Sequence, residues 1–287
     1  MPTTPSPRTH SKILWHFTGG PIWDNVRNVQ TRRAKPVESA YKTLLAILKS
    51  KKLKLGGYHE LIKVKVPVEP YYDVDTKSIK TRRNQVKEVR TSQVCCVADI
   101  PLSELHFHAK RYGRIAIGFH RKALITANFN PVLYTRLDSD IVKNFYDAQR
   151  SLGLMDASSI EDEISNFKDE IESEVSDVLD DFSLNADGSN ISLEADMLVS
   201  EATTALERLE DSLAFVKTYK SSDFETIYAE REWRSTEEFE FDPKDIAMIL
   251  LQSSGTVDYF KKFVDEDIEN LEIPRSVSIV RWEDVVA

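Results

Sequence analysis

The sequence has few cysteines and no long hydrophobic segment. Its only two cysteines, Cys95 and Cys96, are neighbours in the chain. Adjacent cysteines reach disulfide geometry only with strain, and two thiolates alone do not make a zinc cluster. The longest apolar run, Ile246 to Leu251, is far shorter than the about 20 residues that span a bilayer, and the first 30 residues have no apolar core for secretion. We therefore expect a cytosolic protein without a disulfide framework.

Common catalytic motifs are also missing. The chain has no glycine-rich phosphate loop followed by lysine, no GxGxxG and no Gly-x-Ser-x-Gly elbow. His106 and His108 are two residues apart, which on a helix places them on different faces, so we expect packing or surface roles rather than metal ligation. Asp73 and Asp75 form a DxD pair in a lysine-rich stretch. This pair, or the pair Glu230 and Glu232, leaves a metal-dependent nuclease as one open interpretation.

Charge is unevenly distributed along the chain. Residues 1–138 hold 25 Lys+Arg against 10 Asp+Glu, a net charge of +15, whereas residues 139–287 hold 13 against 37, a net charge of −24. Such asymmetry predicts a basic surface that meets nucleic acid and an acidic part that shields or imitates it, although two solvated faces would look the same.

Hydrophobic periodicity predicts an α+β protein. A helix is expected after Pro36, strands are expected in "LIKVKVPV", "VCCVADI", "GRIAIGF" and "PVLYTRL", and residues 70–92 read as an exposed basic loop. We assign residues 1–12 to a disordered N-terminus and residues 13–138 with 219–287 to a core. Residues 139–218 form a predicted insertion.

The insertion reads as an acidic antiparallel helical hairpin. Apolar residues recur at steps of three and four from Ile160 to Phe182 and again from Leu198 to Val216, with a turn expected in "NADGSN". Alternation in "ETIYAEREWRS", residues 225–235, then predicts a strand that returns to the sheet. Two short helices, in "PKDIAMILLQS" and "TVDYFKKFV", and a last strand in "SVSIVRW" complete the prediction.

The stretch "ILWHFTGG", Ile13 to Gly20, is the most informative part of the chain. Three large apolar residues lead into His16 and Thr18 and then into two glycines. A histidine at a strand end, with a carboxylate from a distant strand, suits cleavage of an N-glycosidic bond, because the carboxylate stabilises an oxocarbenium-like sugar. Glu230 and Glu232 are the candidate carboxylates. A structural histidine with two solvated glutamates is the alternative.

Several of these segments resemble known families. "ILWHFTGG", with the helix and "AILKSKKLKLGG" after it, is similar to the opening of His-Tyr-Glu ADP-ribosyltransferases and to that of DarT-type nucleic-acid ADP-ribosyltransferases. Together, "HFTGG", "VCCVADIPLSELHFHAKRYGRIAIGF", "PVLY" and "EREWR" resemble AbiGi-type abortive phage-resistance proteins. The resemblance implies an ADP-ribosyltransferase-like core of two packed small β-sheets with flanking helices.

The resemblance also implies site residues. The catalytic residues would be Glu232 and Glu230, the latter on the same strand face and engaging the acceptor. NAD, the substrate, would be bound by His16, Thr18, Gly19, Tyr112 and Arg114. DarT-type enzymes have a mid-strand arginine without a clear match here.

Two functions follow from the resemblance. One is a phage-defence mono-ADP-ribosyltransferase that moves ADP-ribose from NAD to a nucleic acid or protein, with the basic half holding nucleic acid. The other is a non-enzymatic antitoxin or regulatory subunit, because AbiGi proteins carry an antitoxin label. The partner protein would be an antitoxin for the transferase and a toxin for the antitoxin.

Overall fold

A computed structural model describes residues 11–24, 29–57, 59–66, 71–73, 76–80, 84–153, 188–220 and 230–285. The predicted disordered terminus up to residue 10, the first helix of the predicted hairpin and residues 221–229 of the predicted return strand lie outside these ranges. The chain divides into two compact units. Unit 1 contains Met1–His59, Gln93–Tyr134 and Tyr219–Ala287, and unit 2 contains Glu60–Ser92 and Thr135–Thr218.

Unit 1 is built on a seven-stranded sheet. Its strands are β1 (Ile13–Phe17), β9 (Cys95–Ala98), β10 (Ala116–His120), β11 (Asn130–Pro131), β14 (Glu232–Ser235), β16 (Ile246–Leu251) and β17 (Ser278–Arg281). Their order in the sheet is β11-β14-β9-β1-β10-β16-β17, and all neighbouring strands are antiparallel except β16 and β17, which are parallel. The α+β class is therefore confirmed, with this sheet accompanied by small two-stranded sheets, and the ADP-ribosyltransferase-like core stays a prediction.

Alternation along the strands gives the sheet two apolar faces. Leu14 packs into one cluster and its neighbour Trp15 into another. Helix α1 (Val37–Ser50) buries Ala40, Tyr41, Leu44 and Leu48 in the first cluster. The second cluster includes Leu105 of α2 (Leu105–Tyr112) and Trp282 of α7 (Trp282–Val285). Because helices cover both faces, the central strands are buried on both sides.

The remaining elements of unit 1 are short. They are β2 (Pro21–Asp24), β3 (Val29–Ala34), β4 (Lys52–Leu53), β15 (Phe239–Glu240), α3 (Arg121–Thr126) and α6 (Tyr259–Lys262), with 3-10 turns at Leu102–Glu104, Pro243–Asp245 and Ile268–Asn270 and a π turn at Phe263–Asp267. β2 pairs with β3, and β4 pairs with β15, both antiparallel.

The described part of unit 2 contains antiparallel strand pairs and two helices. Its described elements are β5 (Leu61–Val66), β6 (Tyr71–Asp73), β7 (Ser78–Lys80), β8 (Gln85–Arg90), α4 (Asp140–Gly153) and α5 (Gly188–Leu213). β5 pairs with β8 and β6 with β7, each antiparallel. Val64 of β5, Val142 of α4 and Leu213 of α5 are all nearly inaccessible to solvent and belong to one apolar cluster. Strands β12 (Leu133–Arg136) and β13 (Val216–Tyr219) lie where the chain passes between the units.

Three sequence-based predictions were wrong. Residues 70–92 contain strands β6, β7 and β8 and are not a loop. "PKDIAMILLQS" is a 3-10 turn followed by the inner strand β16, because a short continuous apolar run suits a strand buried on both faces as well as a helix. Gly188, inside the expected "NADGSN" turn, already begins α5.

Candidate functional site

The predicted site residues can be placed around a cavity in unit 1. The cavity has a volume of about 270 Å³. Residues from β1, from the middle of α1, from β9, from α2 and from the N-terminal end of β14 line it. His16, Thr18, Tyr112, Glu230 and Glu232 all contribute to the lining. The sheet order explains the convergence, since β9 lies between β1, which carries His16, and β14, which carries Glu232.

His16 is positioned by the neighbouring strand. Its Nδ1 lies 3.0 Å from the carbonyl oxygen of Cys96. Burial lowers the pKa of His16 from its ordinary value; the Cys96 carbonyl opposes that shift, and the charge of Lys35 adds to it. The neutral imidazole is therefore favoured, with Nδ1 as the hydrogen-bond donor to Cys96 and Nε2 as an acceptor.

Thr18 and Gly19 have structural partners within the fold. The Thr18 amide donates to the Ile115 carbonyl at 3.1 Å, and the Thr18 hydroxyl donates to the same oxygen at 3.4 Å. A Cβ on Gly19 would lie 2.8 Å from the carbonyl oxygen of Tyr112. The absence of a side chain at residue 19 is thus explained by close packing against the end of α2.

The two glutamates are not related by strand alternation. Arg231 has a left-handed backbone with φ of 43°, and β14 begins only at Glu232. The Arg231 carbonyl accepts a 2.9 Å hydrogen bond from the Asp99 amide, and its guanidinium lies 3.5 Å from the Asp99 carboxylate. Glu230 therefore lies in a turn before the strand, and the prediction of a shared strand face was wrong, although both side chains line the cavity.

Each glutamate is paired with an arginine. Arg111 donates from Nη1 to Glu230 Oε1 at 2.5 Å, and the Tyr112 hydroxyl lies 3.5 Å from the same oxygen. Arg234 donates from Nη2 to Glu232 Oε2 at 3.1 Å. The Arg234 side chain is fully buried, whereas that of Arg111 is half exposed. The negative charge of both candidate catalytic groups is thus compensated by the protein itself.

Tyr112 lies beside His108, for which a packing or surface role was expected. The His108 ring stacks on the Tyr112 ring at a centroid distance of 4.3 Å with an angle of 18°, and both rings line the cavity. Their spacing of four residues on α2 places them on one face, and this was the signal available in the sequence. Lys35 and Lys54 also line the cavity and were not predicted.

Arg114 is placed differently. Its Nη1 donates to the Ser254 hydroxyl at 3.3 Å, its side chain is exposed, and it is not among the residues that line this cavity. The described residues contain no group of three or more His, Cys, Asp or Glu side chains suited to a metal ion. Asp75 and the side chain of Asp73 lie outside the description, so the predicted DxD pair stays a prediction. No described helix is long and apolar enough to cross a membrane.

Comparison with known proteins identifies a family. A family model described as "Putative abortive phage resistance protein AbiGi, antitoxin" matches residues 59–274, about three quarters of the chain. No curated protein and no solved structure matches this chain. The match begins after "ILWHFTGG" and includes all of unit 2, together with α2, Glu230 and Glu232. This chain therefore belongs to the AbiGi family of abortive phage-resistance proteins.

Proposed function

We propose that this chain acts in abortive phage resistance as a non-enzymatic antitoxin that binds a toxin protein and neutralises it. The description of the matching family names an antitoxin, and the match covers residues 59–274. The geometric observation that carries the proposal is the compensation of both candidate catalytic carboxylates by Arg111 and Arg234.

The ion pairs argue for a scaffold because of what catalysis would require. A carboxylate that stabilises a cationic sugar acts through its negative charge in a site prepared for that cation. A guanidinium within hydrogen-bond distance competes for that charge. Because Arg234 is fully buried beside Glu232, water cannot solvate its positive charge in place of Glu232. Thr18 and Gly19 likewise serve contacts within the fold.

The test is a rescue experiment. The proteins encoded on either side of this chain in its genome are expressed singly in a host cell, and those that stop growth are expressed again with this chain. We expect at least one such protein to be toxic alone, to be tolerated with this chain, and to co-purify with it. If no flanking protein is toxic, or if the chain neither rescues growth nor forms the complex, the proposal fails.

A second candidate function is a mono-ADP-ribosyltransferase with NAD as substrate and a nucleic acid or protein as acceptor. The observation in its favour is the convergence of His16, Tyr112, Glu230 and Glu232 on one cavity. Ligand pockets for drug-sized molecules have volumes of about 300–1,000 Å³, so a dinucleotide would require this cavity of about 270 Å³ to open. In this candidate, His16 and Tyr112 would hold the nicotinamide riboside, and Glu232 would stabilise the sugar cation.

Nicotinamide release from NAD separates the two functions. The purified chain is incubated with NAD, mixed nucleic acids and cell lysate, beside Glu232→Gln, and circular dichroism checks that this variant is folded. The antitoxin proposal predicts no turnover above the protein-free background. Turnover by the wild type that a folded Glu232→Gln variant lacks would establish that this chain cleaves NAD and would contradict the antitoxin proposal.

A further inference from the structure

The described surface of unit 2 carries the two most exposed large apolar side chains of the described residues. We define the β-arm as the described residues between 71 and 88, namely 71–73, 76–80 and 84–88, which form β6, β7 and the outer part of β8. Ile79 has 73% of its surface exposed, Tyr72 has 60% and Val86 has 52%. Ile79 and Tyr72 are more exposed than any other large hydrophobic residue among the described residues.

Strand pairing places the two most exposed residues together. Tyr72 and Ile79 are directly opposite each other in the antiparallel pair β6–β7. Directly opposite residues project from the same face of a two-stranded ribbon, with Cβ atoms about 5 Å apart. Tyr72 and Ile79 thus form one continuous apolar patch on the ribbon, which an isolated ribbon leaves in water. Exposed apolar patches rimmed by polar residues are typical of protein interaction sites.

The charge around the patch indicates the chemistry of its partner. The β-arm contains three lysines (Lys77, Lys80 and Lys87) and two acidic residues (Asp73 and Glu88), whereas the whole of unit 2 contains 14 Lys+Arg and 26 Asp+Glu. The β-arm therefore has a small excess of positive charge within an acidic unit. Lys77 lies in the turn between β6 and β7 and is exposed beside the apolar pair. A partner surface that combines apolar and acidic side chains would complement this arrangement.

We infer that the β-arm is the surface by which this chain docks an acidic, partly apolar face of its toxin partner. The inference rests on the proposed antitoxin function and names the contact surface for it. A protein partner is favoured over nucleic acid because the matching family is described as an antitoxin. Tyr72 has a ring on which a base could stack, but Ile79 and Val86, the other strongly exposed apolar residues of the β-arm, are aliphatic and have none. The net charge of the β-arm region is also small for a surface that would bind through phosphates.

The test measures complex formation with the flanking protein that the rescue experiment identifies. Tyr72→Ser/Ile79→Ser removes the apolar pair, and Lys77→Glu/Lys80→Glu reverses the charge beside it. The matched control is Ile125→Ser/Val257→Ser, which removes two exposed apolar side chains from unit 1. Circular dichroism melting of each variant reports on folding. Affinity is measured by titration calorimetry at two salt concentrations, and rescue of growth is scored in parallel.

We expect Tyr72→Ser/Ile79→Ser to weaken binding at least 100-fold with unchanged melting, and the control to bind within threefold of the wild type. Lys77→Glu/Lys80→Glu is expected to weaken binding at least tenfold and to reduce its salt dependence. Equal binding by the wild type and both β-arm variants overturns this inference while the antitoxin function stands. The inference is also overturned if the wild type binds a labelled RNA and the β-arm variants lose that binding while they still bind the flanking protein. Failure of the wild type to bind any flanking protein overturns the inference together with the proposed function.

Discussion

At the scale of single residues, the cavity of unit 1 is organised by buried charge. Arg234 is completely inaccessible to solvent, and Glu230 is only 6% exposed. Ionised side chains in such positions are stable only with partners, and Glu232 and Arg111 are the partners that the structure provides. The two pairs differ in one respect, because Arg111 reaches solvent and Arg234 does not.

This difference predicts unequal effects of neutralising the two glutamates. Glu232→Gln leaves the buried Arg234 guanidinium without that compensating charge, and we expect a loss of about 3 kcal/mol in the free energy of unfolding. Glu230→Gln leaves Arg111 half exposed and is expected to change stability by less than about 1 kcal/mol. Chemical denaturation of both variants measures the difference. Equal losses would show that the burial of Arg234 is not the deciding factor.

His16 gives a prediction about pH. Its pKa in the folded protein is lowered from the ordinary value of 6.5, so the unfolded chain binds a proton more readily than the folded one. The stability that His16 contributes is complete above pH 6.5 and is lost as the pH falls below it. We expect His16→Gln to show a smaller loss of unfolding free energy than the wild type between pH 7 and pH 5. An identical pH dependence in the two proteins would contradict the lowered pKa of His16.

At the scale of elements, the sheet of unit 1 depends on close packing between β1 and β10. Trp15 of β1 lies opposite Gly118 of β10. A Cβ on Gly118 would lie 2.7 Å from the Trp15 ring and 2.6 Å from the Ile13 side chain. Trp15 is also fixed by the hydrogen bond from its Nε1 to the Ile100 carbonyl at 3.0 Å. The indole therefore has little freedom to move away.

Gly118→Ala is accordingly expected to destabilise the protein by about 1–3 kcal/mol through overpacking. Gly57→Ala is the matched control, since a Cβ on Gly57 would meet nothing within 4 Å. Denaturant unfolding followed by tryptophan fluorescence compares the two variants. Equal stability of Gly118→Ala and Gly57→Ala would mean that the Trp15 ring can shift without loss.

The stability of unit 2 depends on Leu213, at the C-terminal end of α5. Leu213 is 1% exposed and packs in one apolar cluster with residues of β5, β8 and α4. We expect Leu213→Ala to cost about 2–5 kcal/mol and to speed amide hydrogen exchange in β5 and β8. Glu207→Ala, at an exposed position of the same helix, is the control. Hydrogen exchange that becomes faster only within α5 would show that this cluster does not stabilise the pairing of β5 with β8.

Some elements could be predicted from the sequence because their pattern has one interpretation. The spacing of three and four in α1 and the alternation in "GRIAIGF" lead to the observed helix and strand. β16 could not be assigned this way, since six continuous apolar residues have no period. The turn that precedes Glu232 could not be predicted from the sequence, because it depends on a distant residue. Asp99 is more than 130 residues away in the chain and holds Arg231 in its left-handed conformation. His16, Tyr112, Glu230 and Glu232 were expected to share a site and do line one cavity, whereas their arginine partners required the three-dimensional structure.

At the scale of the whole molecule, the two compact units divide the charge differently from the two halves of the sequence. The sequence divides into a basic first part and an acidic second part, but unit 1 contains 24 Lys+Arg against 21 Asp+Glu, a net charge of +3, and unit 2 has a net charge of −12. The basic residues between 60 and 92 belong to the acidic unit. The basic first half of the sequence therefore does not form one compact basic unit that could bind nucleic acid. A protein partner agrees better with the antitoxin description of the family.

The proposed antitoxin function requires that this chain neutralises a toxin without chemistry of its own. The most direct measurement is growth of a host that expresses the chain alone, the toxic flanking protein alone, or both, with wild type and Glu230→Gln at matched levels. We expect normal growth with the chain alone, arrest with the flanking protein alone, and equal rescue by the wild type and Glu230→Gln. Growth arrest by the chain alone would contradict the antitoxin function and assign a toxic activity to this chain.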